Sequence, residues 1–105
     1  MKWMVIFIKS EDPHYRLFMS FGGGYLHGDS WRMNSGITRV EVDEDKYTFI
    51  GSSGSSYTVH KDMYGATIYG AGILDNFIKS SAEKNAEIMI MPEDTDWSAI
   101  DWIIR

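Results

Sequence analysis

The stretch Ile37-Thr38-Arg39-Val40-Glu41-Val42, the polar triplet Asp43-Glu44-Asp45, the run Lys46-Tyr47-Thr48-Phe49-Ile50, the segment Gly51-Ser52-Ser53-Gly54-Ser55-Ser56 and the run Tyr57-Thr58-Val59-His60 together decide the fold class. Val40 and Val42 alternate with Arg39 and Glu41, the period of two that a half-buried strand shows. The residues of the next two runs are mostly β-branched or aromatic, and the breaks between the three runs hold acids, glycine and serine, which favour turns. The spacing predicts a three-stranded antiparallel meander over residues 37–60.

Outward from that core, residues 3–8 are a continuous apolar run, which suits a strand covered on both faces. After Glu11-Asp12-Pro13-His14, residues 15–21 alternate, with Tyr15, Leu17, Met19 and Phe21 on one face and Arg16, Phe18 and Ser20 on the other. Gly22-Gly23-Gly24 ends that strand, and residues 22–36 read as a long loop or irregular edge. Ile73, Leu74, Phe77 and Ile78 have helical spacing, so a helix is expected to start near Gly70 and Gly72 and to end around residues 83–85. Residues 86–91 read as a strand stopped by Pro92. The tail from Asp96 reads as a short helix capped by Asp96 or as a closing strand. The expectation is an α+β fold: an antiparallel sheet of about five to six strands, one main helix packed on one face, and a short C-terminal helix or strand.

The chain of 105 residues suits one domain over residues 1–105, and its 44% hydrophobic and 24% charged residues are ordinary for a globular protein. Ten basic against fifteen acidic residues give a net charge of −5, which disfavours a broad basic surface for nucleic acid. There is no cysteine, so disulfides, thiolate chemistry and Cys-ligated metals are excluded. The opening apolar run is too short to span a membrane and is followed by Glu11-Asp12-Pro13 where a signal cleavage site would lie. A cytoplasmic protein without a membrane segment is the expectation.

Four groups of residues bear on function. Gly22, Gly23, Gly24, Ser52, Ser53, Gly70 and Gly72 form loops whose backbone amides suit an anion, although no phosphate-binding fingerprint is complete. They are the candidate site for a nucleotide-like or phosphorylated ligand, against the plainer reading of turn chemistry. His27 and Asp29, with His60 and Asp62, repeat a His-x-Asp spacing that puts both side chains on one face of an extended segment. They are weak candidates for a metal site or a general base, should the two segments meet. The serines before His60 lack the strained elbow of a hydrolase nucleophile. No catalytic residue, resident metal or cofactor is assigned.

The fourth group is aromatic and acidic. Asp94, Asp96, Trp97, Asp101 and Trp102 in the tail, with Tyr25 and Trp31 in the glycine-bounded loop, are the candidate partner-binding residues. On a short helix positions 97 and 102 do not share a face, so at least one of those rings is expected to stay exposed. The leading functional expectation is a small acidic non-enzymatic protein-binding module that occupies a partner protein's surface. Its size and composition are those of inhibitors that phages and mobile elements encode. The alternative is the small-ligand binder, with a metal-dependent enzyme third. Self-association into a homo-oligomer stays open.

Overall fold

The computed structural model describes residues 1–23 and 28–103. Seven strands and one long helix follow in the order β1 (Lys2–Lys9), β2 (His14–Gly22), β3 (Asp29–Met33), β4 (Ile37–Val42), β5 (Lys46–Gly51), β6 (Ser56–His60), α1 (Ile68–Glu83) and β7 (Glu87–Ile90). A 3-10 turn at Lys61–Met63 precedes α1. The strands form two antiparallel sheets, one ordered β3-β2-β1-β7 and the other β4-β5-β6. The α+β class is as expected. The strands number seven rather than five to six, and they are divided between two sheets.

The continuous apolar run in β1 follows from its central place. Trp3 and Val5 face the space between the sheets, in a core with Leu17 and Met19 of β2, Ile37, Phe49 and Val59 of the second sheet, and Trp97 and Trp102 of the tail. Ile6 points the other way, into a second core with Phe18 and Leu74, flanked by Met4, Ile8, Trp31, Met33 and Ile88. The four-stranded sheet is therefore the middle of three layers, with α1 on one side and the meander on the other. A strand buried on both faces has no polar side to show, so its pattern is a run rather than an alternation.

The meander forms as its sequence predicts. Val40 pairs with Phe49, and Tyr47 pairs with Val59, while a register shift lies between Ile37 and Arg39. The Asp43 amide donates to the Lys46 carbonyl at 2.9 Å and the Asp43 carboxylate accepts from the Glu44 amide at 2.7 Å. The second hairpin turns through Gly54 at a φ of 89°, a left-handed conformation that a side chain would strain.

Two expectations need correction or narrowing. Residues 22–36 read as a long loop or irregular edge, and within them Asp29–Met33 is an edge strand paired along the upper half of β2, from Gly22↔Asp29 to Phe18↔Met33. Its inward face holds only Trp31 and Met33, and its other residues are polar, so the strand carries too little apolar alternation to stand out. The tail is neither helix nor strand in its described residues: it is a succession of turns, with the Thr95 amide donating to Pro92 and the Ala99 amide to Asp96. The helix starts near the two glycines as expected: α1 begins at Ile68, where Thr67 caps it and accepts from the Gly70 amide at 3.0 Å.

Candidate functional site

The structure separates the residues the sequence singles out. Gly22 lies at the end of β2 opposite Asp29, and Gly70 sits against Ser20, two residues away along the same strand. Ser52 is elsewhere, hydrogen-bonded to Ser35 at 2.9 Å beside Gly36, whose added Cβ would lie 3.9 Å from the Tyr15 carbonyl oxygen. Tyr15 and Gly22 lie seven positions apart on β2, about 23 Å of extended chain. Ser53 belongs to the same hairpin as Ser52, and Gly72 stands on the open side of the helix, with nothing within 4 Å of an added Cβ. Among the described residues, Gly22 and Gly70 lie near one end of β2, while Ser52 and Ser53 lie near the other. Gly24, Tyr25 and His27 lie outside the described residues.

Of the His-x-Asp pairs, Asp29 is exposed at the start of β3, on the outer edge of the first sheet. His60 is exposed at the end of β6, and Asp62 is exposed in the 3-10 turn. Among the described residues no three His, Asp or Glu side chains come together as a metal would require. The backbone of His60 serves the core instead, because its carbonyl accepts from the Trp3 indole N–H at 2.6 Å.

The tail tryptophans are core residues. Trp97 is 2% exposed and Trp102 8% exposed. The expectation that at least one ring stays outside is not met. Without helical geometry the five-residue offset no longer sends the rings to opposite sides, and they stack with centroids 6.4 Å apart and an interplanar angle of 18°. Trp3 and Tyr64 also meet Trp97, at 5.7 Å and 5.8 Å. Asp94, Asp96 and Asp101 remain exposed. The Asp96 carboxylate accepts from the Ser98 amide and hydroxyl, and Asp101 accepts from the Ile103 amide, so two of these acids hold turns. Trp31 is half-buried, stacked over Phe18 at 6.0 Å and meeting Phe77 edge-on at 5.2 Å.

Tyr64 links the tail to the sheet. Its hydroxyl donates to the Met91 carbonyl and accepts from the Val5 amide at 3.4 Å, so it bridges the end of the β1–β7 ladder where the strands part. Burial pushes the Tyr64 hydroxyl above its ordinary pKa of 10.0; the hydrogen bond from Val5 opposes this, and the Glu93 charge adds to it. A proton held more tightly in the folded state gives stability that is complete below the unfolded pKa and lost as pH rises through the folded one. Stability is therefore expected to fall above pH 10.0, and Tyr64→Phe to reduce that fall, as urea unfolding at stepped alkaline pH will read.

The surface feature that does come together is the edge at β7. Among the described residues β7 pairs with β1 alone and is the last strand of its sheet. The Met91 amide donates to the Val5 carbonyl at 2.9 Å, and Met89 lies opposite Phe7. Antiparallel bonding alternates along a ladder, so with Met91 and Met89 turned to β1 the N–H and C=O of Ile88 and Ile90 face outward. Beside this edge runs an apolar groove of about 310 Å³, lined by Met4, Ala66, Ala71, Leu74, Ile78 and Ile90 with Asp75 at its rim. Ile68, on the first turn of α1, is 96% exposed, and Ile90 is 45% exposed. Residues 86–91 are legible in the sequence as a strand but not as a site. Edge strands commonly carry lysine, proline or a bulge, and Glu87-Ile88-Met89-Ile90 has only its one glutamate. That lack is a signal the sequence does hold.

Among the described residues, no helix is long and apolar enough to cross a membrane. Comparison with protein-family models, with curated proteins and with solved structures finds no match to this chain.

Proposed function

We propose that the protein is a non-enzymatic protein-binding module that takes an extended segment of a partner as a fifth strand on the outer edge of β7. The open edge beside the apolar groove carries this reading. Main-chain bonds to Ile88 and Ile90 supply affinity, and alternate apolar side chains of the segment enter the groove along α1. The net charge of −5, with Glu87 exposed on β7, favours a segment whose remaining positions are basic. Occupying a partner's strand in this way is how a small inhibitor of the phage-encoded type would act. The buried rings of Trp97 and Trp102 leave the tail its exposed acids, Asp94, Asp96 and Asp101, as partner-facing groups.

The test is a titration with a synthetic eight-residue peptide of alternating valine and lysine, followed by amide NMR and hydrogen exchange. Saturable binding with new protection at the Ile88 and Ile90 amides is the expected result. Ile90→Pro removes an outward N–H without removing a β1–β7 bond, so it should abolish that protection while leaving the fold in place. Shifts that map elsewhere, or no saturation by about 1 mM peptide, would rule the reading out.

A further inference from the structure

A second cleft opens toward the C-terminal end of α1, and it differs in chemistry from the β7 groove. It encloses about 410 Å³ between α1 and the helix-facing side of the four-stranded sheet, with Arg16, Trp31, Met33, Phe77 and Ser81 in its lining. That volume lies in the range of small-molecule pockets. Trp31 and Phe77 meet at 75° and form an aromatic wall.

Arg16 is the feature that ordinary packing does not explain. It is half-buried on the helix-facing side of β2, between apolar neighbours. A guanidinium has five N–H donors and is always charged. Its Nε donates to His14 Nε2 at 2.8 Å, and His14 Nδ1 lies 2.7 Å from the Asp12 carbonyl oxygen, to which it donates. Among the described residues its Nη1 reaches only the Met33 sulfur, at 3.8 Å. A thioether is a weak acceptor and carries no charge to balance the cation. Among the described residues the ion pairs are Arg39–Glu41 and Lys79–Asp75, so no carboxylate lies within ion-pair distance of Arg16. Asp12 lines the adjoining cleft with His14 and Arg16 but makes no ion pair there.

A charge partly removed from water without a counter-charge is costly unless something supplies one. We infer that this cleft binds a small organic carboxylate with an aromatic body, its carboxylate on the Nη1 and Nη2 edge of Arg16 and its ring against Trp31 and Phe77. His14 holds the guanidinium by Nε, which leaves the two terminal nitrogens in the fork that matches a carboxylate. The aromatic wall offers edge-to-face contact to a flat ring. The side chain of Ile88 on β7 also lines this cleft, but the contacts inferred here fall on Arg16, Trp31 and Phe77 and do not rest on the open edge of β7.

The probe is 3-phenylpropionate, with its uncharged amide as control, followed by calorimetry and by the indole N–H signal of Trp31. The acid is expected to bind saturably with a Kd of about 1 mM or tighter, and the amide about tenfold more weakly. Arg16→Gln should weaken the acid about tenfold and leave the amide nearly unchanged. Ser81→Phe fills the cleft from the helix side and should weaken both ligands, which keeps the test decisive if Arg16→Gln fails to fold. Equal binding of acid and amide, shifts that spare Trp31, no saturation, or wild-type binding by Ser81→Phe would each overturn the assignment.

Discussion

Trp97→Ala is expected to lower the unfolding free energy by about 3–5 kcal/mol, the cost of emptying a large aromatic site in a packed core. A domain of this kind has only about 5–15 kcal/mol in total, so the variant should lose a large share of its stability. Trp97 meets four other rings, those of Trp3, Phe49, Tyr64 and Trp102. It is also what fastens an irregular tail over the open end of the space between the sheets, since the tail's described residues contribute no strand bonds. Urea unfolding measures the loss as a lower midpoint. The exposed neighbour Asp96→Ala should change stability by less than about 1 kcal/mol, because it loses only a local turn. If Trp97→Ala proved as mild as Asp96→Ala, the tail would not be docked in the core as described.

The second large effect concerns two glycines two positions apart in α1. A Cβ built on Gly70 would lie 2.4 Å from Ser20 Cβ and 2.8 Å from its Oγ. Ser20 cannot move aside easily: it is fully buried in the middle of the sheet, and its Oγ accepts from the Thr67 amide at 2.9 Å. Helix and strand touch here because neither position carries bulk. Gly70→Val should cost about 3 kcal/mol through overpacking. Gly72 has nothing within 4 Å of its added Cβ, so Gly72→Ala should instead raise stability by about 1 kcal/mol, the ordinary helix preference for alanine. Thermal melts of the two variants should therefore move in opposite directions. If both moved upward, the close approach of α1 to β2 at Ser20 would be wrong.

Both glycines look alike in sequence, as breaks that place the start of the helix. Thr67 caps that start, and what distinguishes Gly70 is a strand residue fifty positions away. The same limit explains the tail. Helix and strand for the residues after Asp96 both come from local spacing, but the segment follows the shape of the aromatic core it closes. Trp31 reads as a partner anchor in a loop, whereas it belongs to a short strand and to the cleft wall under Phe77. Arg16 is legible only as the polar residue of an alternating strand; that no carboxylate among the described residues pairs with it is a fact of three dimensions.

By itself the sequence determined the antiparallel α+β class, the meander from Ile37 to His60, the double-faced β1, the helix and the strand before Pro92. These depend on local period and turn chemistry, which neighbouring residues carry between them. The tertiary structure alone decided the division into two sheets, the pairing of β3, the burial of both tail tryptophans, the open edge of β7 and the cleft at Arg16. Each of those depends on which faces meet across long stretches of chain, and hydrophobic burial chooses among such meetings by total fit.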